Sequence, residues 1–268
     1  VYLEMEDYQN AAAAAQGLIN SKRYTLISDG DAYKKMWLND VGTEAIWQFA
    51  MSKTETGSNA LGSSFMGIVD KLPRPSYLPV KSVLNLYDKE NDIRYDAYFT
   101  TGLIDRQVGD DIEVTYCSKW PGNPELYEGK SNNVNKLKAF RISEMYLIAA
   151  EAYAMLNQED KASEMLNELK KIRIKGWTET VYNGAALMQE IQDERVRELF
   201  AEGNRLFDMK RWKIGMKRSS SDAQRDDYLP ALGTDIEKEA TDNRWVWPIP
   251  KDEMDSNPQL KGQQNPGY

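Results

Sequence analysis

The clearest pattern in the chain is a recurrence of apolar positions at helical spacing between residues 141 and 172. In the first stretch these positions are Ile142, Met145, Tyr146, Ala149, Tyr153 and Leu156. After the polar turn Asn157–Asp160, the same spacing returns at Ala162, Met165, Leu166, Leu169 and Ile172. Apolar residues three and four apart share one helix face. The pattern therefore predicts two antiparallel helices with a shared apolar contact, as in a tetratricopeptide hairpin.

Helical patterns also occur at both sides of this hairpin. Residues 7–20 predict a helix that starts near Asp7 and contains the alanine run Ala11–Ala15, and alanine is the strongest helix former. Leu187–Trp212 predicts a helix or a pair of helices with a break at Gly203, because glycine allows the chain to bend. The same reasoning makes residues 1–28 a second helical hairpin.

Between residues 29 and 135 the helical periodicity is weak, and Gly, Pro, Ser and Asn are frequent. The short apolar runs Tyr95–Phe99 and Ile112–Tyr116 predict strands. Disordered segments are poor in aromatic residues, whereas this region is rich in Trp and Tyr, so we expect it to be ordered. A long ordered loop region within a compact domain is typical of a functional surface.

Together these patterns predict a mainly α fold in which tetratricopeptide-like hairpins pack with a loop-rich, irregular ligand-binding region. We expect a single domain that spans residues 1–268. Its predicted parts are a helical hairpin at 1–28, a loop-rich insertion at 29–135, helical hairpins at 136–215 and a C-terminal loop segment at 216–268.

Composition narrows the possible chemistry. The chain contains no histidine, which excludes Ser-His-Asp and Cys-His catalysis within it and most zinc sites. Its net charge of −8 disfavours nucleic acid and anionic lipid as partners, because both require a basic surface. Glycosidase chemistry needs only a pair of carboxylates, so it stays open as an alternative.

A dense run of alternating charges lies within the predicted helix or helix pair Leu187–Trp212. Its members are Glu194, Arg195, Glu198, Glu202, Arg205, Asp208 and Arg211. We interpret this run as a structural ion network, in which arginine forks clamp carboxylates between helices. A di-metal carboxylate site would add Glu-x-x-His pairs, which this chain lacks.

We predict no catalytic residue, no metal site and no cofactor. Calcium is the one metal with a candidate position, at Asp105, Asp110 and Asp111 near Gly109. The spacing of these carboxylates lacks the signature of a calcium-binding loop. We therefore expect a solvated acidic turn there.

Several motifs occur in order along the second part of the chain. They are YDKENDIR at 87–94, FRISEMYLIAAEAY at 140–153, ERVRELFAEGNRLFDMKRW at 194–212, WPIP at 247–250 and NPGY at 265–268. In this order and with these residues, the chain resembles the SusD-like (RagB/SusD) family of outer-membrane lipoproteins.

The resemblance implies a non-enzymatic protein on the bacterial cell surface that binds glycans. Such proteins deliver oligosaccharides to a SusC-like TonB-dependent transporter and contact the membrane only through an N-terminal lipid anchor. They are about twice as long as this chain, which begins at Val1 without a signal peptide or lipidation motif. We therefore expect the chain to be the C-terminal portion of such a protein, without the anchor.

The aromatic residues of the loop region are the candidate ligand contacts. A sugar ring stacks its C–H face on Trp or Tyr, and polar side chains at the edge bind its hydroxyls. The segments Trp120–Tyr127 and Arg74–Tyr77 combine these residue types, so Trp120, Tyr127 and Tyr77 are the predicted oligosaccharide contacts. Four other tryptophans are predicted to lie in the core: Trp47, Trp212, Trp245 and Trp247.

Two alternatives to glycan binding remain at this point. The helical hairpins could form a tetratricopeptide-type scaffold for a partner protein. A carboxylate glycosidase would instead use Glu194 or Glu198.

Overall fold

The fold is mainly helical, as the sequence predicts. The computed structural model describes residues 1–54, 61–69, 71–106, 109–131, 133–224, 237–260 and 262–268. Its α-helices are α1 (Tyr8–Asn20), α2 (Gly30–Leu38), α3 (Ser63–Met66), α4 (Lys81–Leu84), α5 (Ile93–Tyr98), α6 (Ile142–Met155), α7 (Glu159–Arg173), α8 (Gly184–Glu198), α9 (Arg205–Trp212) and α10 (Lys251–Ser256). Its strands are β1 (Ala45–Gln48), β2 (Ile68–Val69), β3 (Leu72–Pro73), β4 (Phe99–Ile104), β5 (Ile112–Cys117), β6 (Lys138–Arg141), β7 (Met216–Lys217) and β8 (Glu237–Lys238).

The strands form antiparallel pairs: β1 with β6, β2 with β3, β4 with β5, and β7 with β8. The chain divides into two compact units, Val1–Glu202 and Gly203–Tyr268. The first unit contains α1–α8 and β1–β6, and the second contains α9, α10, β7 and β8. The predicted hairpin region 136–215 thus includes α9, which belongs to the second unit.

Helix α6 is the centre of the helical part of the first unit, where it contacts α1, α7 and α8. The α6–α7 turn contains Asn157 in the left-handed region, at φ 58°. Fully buried residues at the helix contacts include Leu147, Ala149, Ala150, Ala162 and Leu166. The alanines allow the helix axes to approach closely. The predicted α6–α7 hairpin is confirmed.

The ends of the predicted helices follow local capping chemistry. The Asp7 carboxylate accepts a hydrogen bond from the Asn10 amide at 3.2 Å, which caps the start of α1. Near the other end of the first unit, α8 stops at Glu198, and α9 begins at Arg205. Gly203 lies between them at φ +87°, a backbone conformation that glycine adopts without strain. The predicted interruption at Gly203 is therefore confirmed.

Of the two strands predicted in the loop-rich region, one is wrong and the other is confirmed. Tyr95–Phe99 is helical over most of its length, as part of α5. Asp92 starts this helix by accepting a hydrogen bond from the Arg94 amide at 3.0 Å, so local capping outweighs the β preference of the aromatic residues. The Ile112–Tyr116 prediction is confirmed as β5, which pairs in register with β4.

Aromatic side chains give the loop-rich region a core of its own. The rings of Tyr33, Tyr98 and Trp120 surround Trp37, which is 1% exposed, at centroid distances between 5.2 and 6.2 Å. Their edge-to-face geometry is the favourable arrangement for buried rings. This cluster explains how a segment with few regular elements stays ordered.

Two tryptophans predicted to be in the core are instead exposed. Trp47 on β1 is 52% exposed and stacks on Phe140 of β6 at a centroid distance of 6.0 Å. Successive strand residues point to opposite faces, and the neighbouring Ile46 packs against the helical core. Trp47 therefore lies on the outer face of this strand pair. In the second unit, Trp247 is 74% exposed, whereas Trp212 and Trp245 are half-buried.

Candidate functional site

A buried ion network joins the helical part of the first unit to its loop-rich part. The carboxylates come from the segment before β1, from α8 and from the turn after α8: Glu44, Glu194, Glu198 and Glu202. The basic groups come from α5, the end of β5, the β6–α6 junction and the end of α7: Arg94, Lys119, Arg141 and Arg173.

Glu198 is the centre of this network. Its Oε1 accepts hydrogen bonds from Nη1 of Arg141 and Nη2 of Arg173, both at 2.9 Å. Its Oε2 accepts from Nε of Arg173 at 3.0 Å and from Nη1 of Arg94 at 3.1 Å. These side chains are at most 1% exposed. One carboxylate thus bridges three guanidinium groups, a fork geometry that favours charge-assisted bonds.

The other three carboxylates extend the network in different directions. Glu44 accepts from Arg141 at 3.0 Å and from Arg173 at 2.8 Å. Glu202 accepts from Arg141 and from Lys119, both at 2.7 Å. Glu194 accepts from Nη1 of Arg94 at 2.5 Å. The network therefore fixes the loop-rich region onto α7 and α8.

The surrounding positive charges keep Glu194 and Glu198 ionised. Burial raises the pKa of Glu194, but the charges of Arg94 and Arg197 outweigh it and lower this pKa from 4.5 to about 2. The pKa of Glu198 is likewise lowered well below its usual value. A glycosidase general acid needs a raised pKa and a cleft that admits the substrate. Glu194 and Glu198 meet neither requirement, so their assignment to glycosidase chemistry is not supported.

We expect the protein to lose stability as the pH falls from 4.5 towards 2. In this window the unfolded chain binds a proton at Glu194, whereas the folded protein keeps this carboxylate ionised. The stability that Glu194 contributes is therefore fully present above pH 4.5 and is lost progressively as the pH falls towards 2. For Glu194 alone the full effect is on the order of 3 kcal/mol. Urea unfolding curves at pH 7, 5 and 3 would measure it. A free energy of unfolding that stays constant from pH 5 to 3 would contradict this account.

The predicted ion-network residues fall into both units. Arg195 is buried on α8 with Glu194 and Glu198. In α9, Asp208 pairs with Arg211 at 3.0 Å, and the Arg205 guanidinium lies 5.9 Å from the centroid of the Trp212 ring.

None of the four basic partners of the network is among the residues predicted from the sequence. Arg94 and Arg141 lie inside two of the motifs quoted above, so a signal for them was present. Arg173 and Lys119 lie outside these motifs, and their role is visible only in three dimensions.

The Trp120 ring is buried, so the prediction that it contacts a ligand is wrong. The residue is 2% exposed, and its ring lies edge-on to Trp37 at 5.2 Å. Its Nε1 donates a hydrogen bond to the carbonyl of Ala201 at 3.1 Å. Trp120 is a core residue that joins the loop-rich region to the turn after α8.

Tyr77 and Tyr127 are placed differently. Tyr77 is 65% exposed, and its ring lies 6.2 Å from that of Phe65, whereas Tyr127 is half-buried. Beside Tyr77, the Ser76 amide donates a hydrogen bond to the Ser64 carbonyl at 2.8 Å. Beside Tyr127, Glu128 pairs with Lys53 at 3.1 Å. We use the name loop face for five exposed or half-buried residues of the loop-rich region: Lys53, Phe65, Tyr77, Tyr127 and Glu128.

At Gly62, the segment that carries Phe65 packs closely against the backbones of Trp120 and Asn133. A Cβ added to Gly62 would lie 2.0 Å from the Trp120 carbonyl oxygen and 2.9 Å from that of Asn133. Only glycine allows so close an approach between two backbones.

The described residues contain no group of three or more side chains that could hold a metal ion. Asp105, considered above as a calcium ligand, pairs with Arg74. Among the helices that the structure describes, none is both long and apolar enough to cross a membrane.

Comparison with known proteins identifies the family of this chain. Residues 104–268, well over half of the chain, match the family model described as the SusD family. This chain belongs to the SusD family. The resemblance drawn from the sequence motifs is thereby confirmed.

Relatives of this SusD-family chain are longer than it is. SusD-like protein P38 of Formosa agariphila is 24% identical over 306 residues, which cover 97% of this chain and 56% of that protein. A SusD superfamily protein from Bacteroides thetaiotaomicron matches with a TM-score of 0.77 and 27% identity, over 99% of this chain and 58% of that one. Surface glycan-binding protein A from Bacteroides uniformis matches with a TM-score of 0.69 and 20% identity, over 98% and 58%. The chain thus spans slightly more than half of the length of these proteins.

Proposed function

We propose that this SusD-family chain is the C-terminal portion of a lipid-anchored protein on the outer-membrane surface that binds oligosaccharides. The protein passes them, chemically unchanged, to a SusC-like TonB-dependent transporter. Family membership supports this proposal, as does the shared fold of a protein named for surface glycan binding. Within the chain, the observation that carries the proposal is the exposed ring of Tyr77 on the loop face.

The loop face has the chemistry that a sugar requires. The Tyr77 ring is a flat, largely exposed surface on which the C–H face of a pyranose stacks. Lys53 and Glu128 supply charged groups that bind hydroxyls, and the half-buried Tyr127 supplies a second aromatic contact. The close packing at Gly62 holds the segment that carries Phe65 in place before a ligand arrives, which reduces the entropy lost on binding.

The alternative of a tetratricopeptide-type protein scaffold has less support. A peptide groove would need an open concave face on the helical hairpin. Helix α6, however, contacts α1, α7 and α8, and its buried residues lie on several sides of the helix. The hairpin therefore serves mainly as the support of the loop-rich region.

Replacing Tyr77 with alanine is expected to weaken glycan binding about tenfold, because the stacking surface is lost. Isothermal titration calorimetry against plant, bacterial and host oligosaccharides measures the affinity. Tyr77→Phe keeps the ring and should retain most of the binding. Tyr2→Ala removes an exposed tyrosine outside the loop face and serves as the matched control.

Two results would count against the proposed function. Folded, full-length protein that binds none of the glycan classes would remove its basis. Delivery is tested separately, by co-purification of the full-length protein with a SusC-like TonB-dependent transporter from the same bacterium. Two folded proteins that fail to associate would restrict the function to glycan capture.

A further inference from the structure

A cleft of about 450 Å³ lies between the loop 86–91 and the connection 174–183 that joins α7 to α8. We call it the α7–α8 cleft. Its lining includes Trp177, Tyr182, Asp88 and Asn91. The two segments are tied together, because the Lys175 amide donates a hydrogen bond to the Asn91 carbonyl at 3.0 Å. Both its size and its mixture of aromatic and polar groups are typical of a small-ligand site.

The aromatic wall of the α7–α8 cleft is held in place by α7. Asn167 accepts hydrogen bonds from Nε1 of Trp177 and from the Thr180 amide, both at 3.0 Å, and donates one to the Thr180 carbonyl at 2.8 Å. One turn earlier, the Ser163 hydroxyl accepts from the Tyr182 amide at 3.0 Å. Ser163 and Asn167 are four residues apart and share a helix face. The connection is therefore ordered before any ligand binds.

Two of the cations that line the cleft share one anionic partner. Glu190 pairs with both Lys170 and Arg197. The Lys170 ammonium also lies 3.2 Å from the Tyr182 hydroxyl and 4.3 Å from the centroid of the Trp177 ring. Because these cations already have an anionic partner, the cleft favours an uncharged polar ligand over a free anion.

Asp88 and Asn91 provide hydrogen-bonding groups beside the aromatic wall. The Asp88 carboxylate accepts from the Asn91 side-chain amide at 2.9 Å and from the Asn91 backbone amide at 3.2 Å. Each carboxylate oxygen has more than one lone pair, and the residue is exposed, so hydroxyl groups can also bind there.

We propose that the α7–α8 cleft is a second carbohydrate site, which binds a neutral sugar unit against Trp177 and hydrogen-bonds it through Asp88 and Asn91. It shares with the proposed function only the class of ligand, because none of its residues belongs to the loop face. Two separate sites on one protein hold a long polymer more tightly than either alone, through a raised effective concentration.

The test compares the wild type with four variants for binding of the same glycan panel, which includes monosaccharides. Trp177→Ala and Asn91→Ala should each weaken one binding event about tenfold or more, and Tyr77→Ala should leave that event unchanged. Trp177→Phe keeps a ring in the cleft and should retain most of the affinity. Calorimetric stoichiometry counts the binding events, and the NMR shift of the Trp177 indole signal reports the event in the cleft, because the loop face contains no tryptophan.

The outcomes distinguish this proposal from the proposed function. Loss of all glycan binding in Tyr77→Ala, with wild-type binding in Trp177→Ala and Asn91→Ala, overturns the second site and leaves the first intact. Loss confined to the cleft variants supports the second site. If Trp177→Ala is unfolded by circular dichroism, Asn91→Ala decides, because its side chain makes no hydrogen bond to the α7–α8 connection among the contacts described above. Absence of any glycan binding in folded protein overturns both.

Discussion

Glu198→Gln is expected to lower the free energy of unfolding by about 3–5 kcal/mol, the usual effect of breaking a buried ion pair. Glu198 bridges Arg94, Arg141 and Arg173 with four hydrogen bonds inside the first unit. Glutamine has nearly the same shape but no negative charge, and one end of its amide only donates. Three buried guanidinium groups would then lose the carboxylate that compensates them.

Urea or guanidinium unfolding, followed by circular dichroism, measures this loss. The matched control is Glu128→Gln, because Glu128 pairs with Lys53 at the surface, where both side chains are more than half exposed. Exposed pairs contribute little, so the control should unfold at the wild-type denaturant concentration. Equal effects of the two substitutions would show that the buried network is not a main source of stability.

The second large effect is expected for Trp120→Ala, which should cost about 3–5 kcal/mol of stability, as for other large core aromatics. The substitution removes the ring that lies against Trp37 and the hydrogen bond to Ala201. Glycan affinity per folded molecule should stay close to that of the wild type, because Trp120 is buried. Thermal unfolding and calorimetry measure the two quantities independently.

Trp47→Ala is the matched control for this substitution, since Trp47 is 52% exposed and its removal opens no buried cavity. We expect a much smaller change in melting temperature. A Trp120→Ala protein with wild-type stability and no glycan binding would reinstate Trp120 as a ligand contact.

The parts of the fold that sequence could predict are those in which local signals agree. The α6–α7 hairpin has regular apolar spacing and a polar turn, and α1 has an N-cap at Asp7 followed by alanines. The run Tyr95–Phe99 predicts a strand because aromatic residues favour strands, whereas the structure forms helix α5, which the Asp92 cap starts.

The candidate site was less predictable, because burial of an aromatic residue depends on distant partners. Trp120 and Tyr77 both lie in turn-rich segments with proline nearby, yet one is buried and the other exposed. What separates them is Trp37, which is far from Trp120 in the chain and fills the space beside its ring. No local window of sequence contains that information.

The position of Glu198 along the chain also bears on how the protein is made. During synthesis, domains generally fold from the N-terminal side as they emerge, at about 5–20 residues per second. Arg94 and Arg141 leave the ribosome well before Glu198, so these guanidinium groups stay without their central counterion until α8 has been translated. The loop-rich region is thus completed late, by a helix made after it. Nascent chains that stop before α8 should be recognised by chaperones and cut by proteases more readily than chains that include it.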